Sequence, residues 1–152
     1  MSRPVSSVRV GLAVARFNDI VTSRLLEGAR SVLLRRGVLH ANIEVMEVPG
    51  AFELPLAAQW LIDLGRCDGV VALGAVIRGA TSHYDYVCSS ATSGLSSVQL
   101  ARGVPVGFGL LTCDTLEQAF DRAGGKLGNK GGETADTVLE MIALKQNLAD
   151  RK

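Results

Sequence analysis

The densest chemical resource in the chain is one histidine placed beside an arginine and a run of small residues. In GAVIRGATSHYDYVCSS, Gly74 to Ser90, an apolar run gives way to Arg78, Gly79, Ala80 and Thr81, and His83 then opens a helical pattern. A strand that leaves into a turn and then a helix presents backbone N–H groups without partners, and these favour an anion. An imidazole titrating near neutrality beside such a seat can move protons on a phosphorylated substrate. The second of the two histidines, His40, falls in a polar loop and suggests no chemistry.

Other candidates are weaker alone. Phe17 and Asn18 follow an apolar run directly. An aromatic there is either a platform for a flat heterocycle or a lid on the core, and position leaves both open. VPGAFELP, residues 48–55, puts Glu53 in the first turn of a helix. The helix dipole stabilises a carboxylate there; alternatively, with neighbouring amides, it grips a polyol. GGKLGNKGGE, residues 124–133, fails as a phosphate loop: no glycine stands five residues before Gly125–Lys126 and no Ser or Thr follows the lysine. It reads as a flexible turn between helices, flanked by Arg122 and Lys130. Cys67, Cys88 and Cys113 lack CxxC and metal spacing and read as reduced structural thiols.

These residues need elements to position them. Continuous apolar runs of strand length occupy 8–16, 43–48, 69–77 and 105–112, the pattern of strands covered on both faces. Helical spacing lies between them. Leu25, Leu26, Ala29, Val32 and Leu33 share a face in a segment opened by Thr22 or Ser23 and closed by Gly37. Residues 51–64 and the stretch after His83 repeat the pattern, a short helix starts at Asp114 or Thr115 with a capping box to Gln118, and a last helix runs from about Gly131 to Leu148. The order βαβαβαβα with a further C-terminal helix implies an α/β fold with a parallel sheet between helices. Ligands in such sheets bind beyond the carboxyl ends of the strands. Those ends are Arg16–Asp19, Val48–Glu53, Ile77–His83 and Thr112–Thr115.

The 152 residues suggest a single domain over 1–152, with residues 1–7 expected as a flexible tail. Hydrophobic content of 47%, charged content of 20% and a net charge of +1 argue against disorder and give no electrostatic footprint for nucleic acid or an anionic membrane. No apolar run approaches the roughly 20 residues of a membrane span, and the N-terminus lacks a signal-peptide core, so a cytoplasmic protein is expected. The high apolar fraction predicts exposed apolar surface on a lone chain and hence a subunit interface.

RFND (16–19), VPGAFELPLAA (48–58), ALGAVIRGATSHYDYVC (72–88), PVGFGLLTCDTLEQAFDRAG (105–124) and GNKGGETA (128–135), in this order, together resemble the lumazine synthase family of riboflavin biosynthesis. The resemblance covers nearly the whole chain. It implies a flavodoxin-like three-layer αβα sandwich with a four-stranded parallel sheet. It implies condensation of 5-amino-6-(D-ribitylamino)uracil with 3,4-dihydroxy-2-butanone 4-phosphate to 6,7-dimethyl-8-ribityllumazine, with no cofactor and no metal. It also implies a homopentamer, in some members twelve pentamers in an icosahedral sixty-subunit shell, an association with riboflavin synthase, and sites shared between neighbouring subunits.

Carried over residue by residue, the resemblance makes His83 the proton-transfer residue. Phe17 would stack on the pyrimidine, Ala51, Phe52 and Glu53 would bind the ribityl chain, and Ala75, Val76 and Ile77 would line the pyrimidine edge. Ala80 and Thr81 would hold the phosphate through their amides. From the adjacent subunit, Phe108 would close the pocket, Arg122 would pair with the phosphate and Lys130 would lie beside the substrate. Many members continue the histidine block with Asn–Glu and a later Lys–Gly pair, where this chain has Ser89–Ser90 and Ser93–Gly94. These positions are expected to face a neighbour rather than the reacting centre. The GGKLGNKG turn has no insertion, which favours a shell, whereas Pro4 opposes strand addition by the tail. Other readings fit less well. A receiver domain needs clustered acids at strand ends, where Arg16–Phe17 stands, and a silent flavin-binding or shell-forming relative would not need Phe17, Glu53, His83 and Arg122 together.

Overall fold

The computed structural model describes residues 3–151. Four strands, β1 (Val10–Ala15), β2 (Ile43–Val48), β3 (Gly69–Ile77) and β4 (Val106–Cys113), form one sheet in the order β2-β1-β3-β4, every neighbouring pair parallel. The helices are α1 (Asp19–Arg35), α2 (Leu54–Asp63), α3 (His83–Arg102), α4 (Leu116–Asp121) and α5 (Lys130–Ala149).

Strand alternation divides the core into two layers. Val10, Leu12 and Val14 of β1, with Val71 and Leu73 of β3, pack under α1, α4 and α5 through Leu25, Ala29, Ala119 and Val138. Ala13 and Ala15, with Val70 and Ala72, face α2 and α3 through Leu54, Ala58, Leu61 and Leu95. A central parallel strand carries apolar residues on both faces because each face meets helices. The result is the expected three-layer αβα arrangement.

Several expectations need correction. β2 is not covered on both faces: Ile43 to Met46 are half-buried and Glu47 is exposed, because β2 is the sheet's edge strand. α1 begins at Asp19, one turn before Thr22, since the Asn18 carbonyl accepts from the amides of Val21 and Thr22 at 2.9 and 3.0 Å. The stretch read as a flexible turn holds an antiparallel hairpin, β5 (Ala123–Gly125) with β6 (Gly128–Asn129). Gly124 and Gly128 adopt positive φ (101° and 86°) in the hairpin, whereas Gly131 serves helix packing. A Cβ on Gly131 would run into the Leu25 carbonyl of α1, and one on Gly28 would run into the Asn129 side chain. Asn129 meanwhile caps α5 by accepting from the Gly132 amide at 3.2 Å and donates to the Arg24 carbonyl at 3.0 Å.

At the amino terminus, Met1 and Ser2 of the segment expected to be a flexible tail lie outside the described residues, as does Lys152. Val5–Ser7 form a turn of 3₁₀ helix, and both terminal nitrogens of Arg3 donate to Asp68, at 3.0 and 2.9 Å. Among the described residues no helix is long and apolar enough to cross a membrane.

Candidate active site

Three of the four strand exits converge. Past β1, the amides of Arg16 and Phe17 donate to the carbonyls of Val48 and Pro49 at 2.8 and 3.0 Å, extending the pairing with the β2 side beyond the strand. Phe17 is thereby turned outward and is 71% exposed. A ring so exposed is no lid on the core. Asn18 adopts the left-handed conformation (φ 64°), which Asn tolerates better than most residues, and its Nδ2 donates to the Ala75 carbonyl of β3 at 2.8 Å. The carboxyl ends of β1, β2 and β3 are thus laced by hydrogen bonds.

Past β2, Pro49 and Gly50 lead into a 3₁₀ turn over Ala51–Glu53, with the Glu53 amide donating to Gly50 at 3.2 Å. Phe52 is 63% exposed, while Glu53 is half-buried. Glu53 stands at the cap of α2 rather than within its first turn, still at the positive end of the helix dipole.

Past β3, the Arg78 amide donates to Cys113 at 2.8 Å, and the chain then runs exposed through Gly79, Ala80, Thr81 and Ser82 into α3. Ser82 makes no side-chain cap, and the Thr81 hydroxyl lies 3.4 Å from the His83 amide. Among the described residues, no backbone carbonyl accepts from the amides of Gly79, Ala80 or Thr81. His83 is exposed as the first residue of α3. Tyr84 follows it, with the Arg78 guanidinium 4.3 Å from its ring centroid, and burial pushes its phenol up from the usual range.

Phe17, Ala51, Phe52, Glu53, Ala75, Val76, Ile77, Thr81 and His83 all line one cleft of about 710 Å³; Ala80 is not among its lining residues, although Gly79 and Thr81 on either side of it are. Tyr84, Tyr86 and Val87 line it too, without a role read from sequence. Tyr86 and Val87 stand three and four positions after His83, so helical periodicity could have found them. The cleft offers exposed rings, a carboxylate, free amides and an imidazole, enough to hold a flat polar ring with a polyol tail beside an anion.

Phe108, Arg122 and Lys130 are elsewhere. Arg122 and Lys130 share a recess of about 410 Å³ with Gln118, Glu133 and Thr112, beside the fourth strand exit. Arg122 donates to the Gln118 carbonyl at 3.3 Å. Phe108 of β4 is 39% exposed. Within one chain, then, the cleft has its imidazole and amides but no unpaired cation among the residues that line it. Another recess, of about 560 Å³ near the amino-terminal segment, contains the Arg36–Asp136 pair (2.9 Å) and no histidine or cysteine.

The model of the 6,7-dimethyl-8-ribityllumazine synthase family matches residues 7–146. The chain belongs to this family. Among relatives so named, that of Lactiplantibacillus plantarum is 53% identical over 141 residues, covering 93% of this chain and 89% of the relative. That of Desulfatibacillum aliphaticivorans is 52% identical over 138 residues, covering 91% and 89%. That of Halorhodospira halophila is 49% identical over 144 residues, covering 95% and 92%. Of the positions where this lumazine synthase family member departs from the common pattern, Ser89 and Ser93 are exposed. Gly94 does not face outward as expected: a Cβ there would stand 2.6 Å from Pro55, so it lets α3 approach α2 within the same chain.

Proposed function

We propose that the chain is a lumazine synthase, a transferase that condenses 5-amino-6-(D-ribitylamino)uracil with 3,4-dihydroxy-2-butanone 4-phosphate to 6,7-dimethyl-8-ribityllumazine, phosphate and two waters. The observation that carries the site reading is the meeting, in one cleft, of exposed Phe17 and Phe52, Glu53, the turn residues Gly79 and Thr81, and His83.

The chemistry uses each of these. The pyrimidine stacks on Phe17 with its edge against the backbone of Ala75, Val76 and Ile77, and the ribityl hydroxyls donate to Glu53 beside Ala51 and Phe52. The phosphate takes the free amides at Ala80 and Thr81, where the start of α3 favours negative charge. Attack of the 5-amino group on the ketone gives a carbinolamine, and loss of water gives an imine. A proton is then lost from the carbon beside the imine as phosphate departs with the electron pair of its C–O bond, leaving an enol that tautomerises to a methyl ketone. The ribitylamino nitrogen attacks this ketone and closes the ring with loss of a second water. Each dehydration needs a proton delivered to oxygen and removed from nitrogen or carbon, which His83 performs. Charge growing on the departing phosphate calls for a fixed cation.

In this reading the cation is Arg122 of a neighbouring subunit, with Lys130 and Phe108 completing the wall. Supporting it are the free state of the amides at the seat, the separate recess that holds Arg122 and Lys130, and the exposure of Phe108. The assembly proposed is the family's pentamer; stacking into a shell and association with riboflavin synthase are part of the same proposal. Residence in the cytoplasm is proposed because the butanone phosphate is a charged metabolite that does not cross a membrane unaided.

Mixing the two substrates with the protein should yield the fluorescent lumazine only when both are present. His83→Ala should lower kcat by about 10²-fold or more while leaving residual turnover, since holding the two substrates together still contributes. Absence of lumazine with the unaltered protein would overturn the functional reading, and an undiminished kcat in the variant would overturn the role of His83.

A further inference from the structure

The turn Arg78–Ser82 that carries the anion seat is anchored at both ends and open between them. At its start, the register Ile77↔Cys113 between β3 and β4 sets Arg78 across from Asp114. Arg78 Nε donates to Asp114 Oδ1 at 2.9 Å, its Nη1 lies 3.6 Å from Asp85 Oδ1, and the guanidinium stacks 4.3 Å from the centroid of Tyr84. At its end α3 begins at His83, and Tyr84 and Asp85 of its first turn are the groups that Arg78 meets. Between the anchors nothing lies within 4 Å of where a Gly79 Cβ would stand, and the amides of Gly79 to Thr81 meet no backbone carbonyl among the described residues. The turn is therefore shaped by its anchors rather than by its own packing. Arg78 faces two carboxylates, so its charge is already matched.

We infer that Arg78 is a positioning residue: its contacts with Asp114 and Tyr84 hold the Ala80 and Thr81 amides and His83 in register, without itself binding the phosphate. The inference rests on reading the cleft as a lumazine synthase site. A guanidinium is suited to the task because it can donate along its edge while stacking flat on a ring; an ammonium cannot do both.

Steady-state kinetics with each substrate varied in turn separates this role from direct binding and from general stability. Arg78→Met should raise the KM for the butanone phosphate about tenfold and lower kcat severalfold, while the KM for the aminouracil stays within about twofold. Inorganic phosphate, used as a competitive inhibitor, should weaken by about the same factor. Arg78→Lys should recover little, because it restores charge without the stacked fork. Asp114→Asn should shift the same constants in the same direction, and the double variant should be no worse than Arg78→Met alone, as coupled partners require. Arg102→Met removes a comparable pair with Asp63 (3.0 Å) at the far end of α3 and should leave both KM values unchanged. An unchanged phosphate KM in Arg78→Met, full recovery by Arg78→Lys, or additive effects in the double variant would overturn the inference. Lack of turnover in the unaltered protein would instead overturn the functional reading, and inorganic phosphate binding, followed by calorimetry, would still test Arg78.

Discussion

Asp68 ties the amino-terminal segment to the fold through three hydrogen bonds: two from Arg3, at 3.0 and 2.9 Å, and one from the Arg9 amide at 2.8 Å. Burial pushes its carboxyl up, but the Arg3 hydrogen bond, the Arg9 amide and the Arg3 charge outweigh burial and hold it below the usual range. A carboxyl depressed in the folded state stabilises the protein above its unfolded value of about 3.9, and that contribution is lost as pH falls through the folded value. Between about pH 5 and pH 2, the urea midpoint of the unaltered protein should therefore fall more steeply than that of Asp68→Asn. Parallel slopes would contradict the pairing. Elsewhere, burial and the Glu44 charge push the Cys67 thiol up to about 11 despite Arg9. Cys67 therefore stays a neutral core group near neutrality, in keeping with the structural role its spacing suggested.

The α1–α5 contact is the element on which the glycine-rich stretch acts. At Gly131 the obstacle to a side chain is the Leu25 backbone, which cannot rotate aside. Gly131→Ala should cost about 1–3 kcal/mol, read as a lowered urea midpoint with an unchanged slope; an unshifted midpoint would show that the helices have room to part. This contact also shows where sequence reading stops. The strands and most helix faces were legible because burial on two sides leaves apolar runs and burial on one side leaves a helical stripe. The hairpin β5–β6 was not, since Ala123–Gly125 and Gly128–Asn129 are too short and too glycine-rich for a strand pattern. The half-exposure of β2 was hidden because a run such as Ile43–Val48 does not reveal that its strand lies at an edge. Of the site, Phe17, Glu53 and His83 could be marked because strand exits are where parallel sheets bind ligands. The Arg78–Asp114 pairing spans 36 positions and is visible only through the β3–β4 register.

For the whole molecule, the lone chain presents two separate hollows, which the proposed function reads as the two halves of one site: a cleft with rings, amides and His83, and a recess with Arg122 and Lys130. Large apolar side chains are also left exposed, including Phe52, Leu64, Tyr86 and Leu100. A second copy that brings its recess to the first copy's cleft would complete a site and cover apolar surface together. The most direct test is subunit mixing. His83→Ala and Arg122→Ala each damage a different half of the proposed site, so each assembly alone should be nearly inactive at low butanone phosphate. Unfolded together in equal amounts and refolded, random neighbours should regenerate intact cleft–recess pairs at about a quarter of the sites, with lumazine formation recovering to about that fraction of the unaltered protein's rate. Activity in the mixture no greater than the average of the two variants would contradict a site built between subunits.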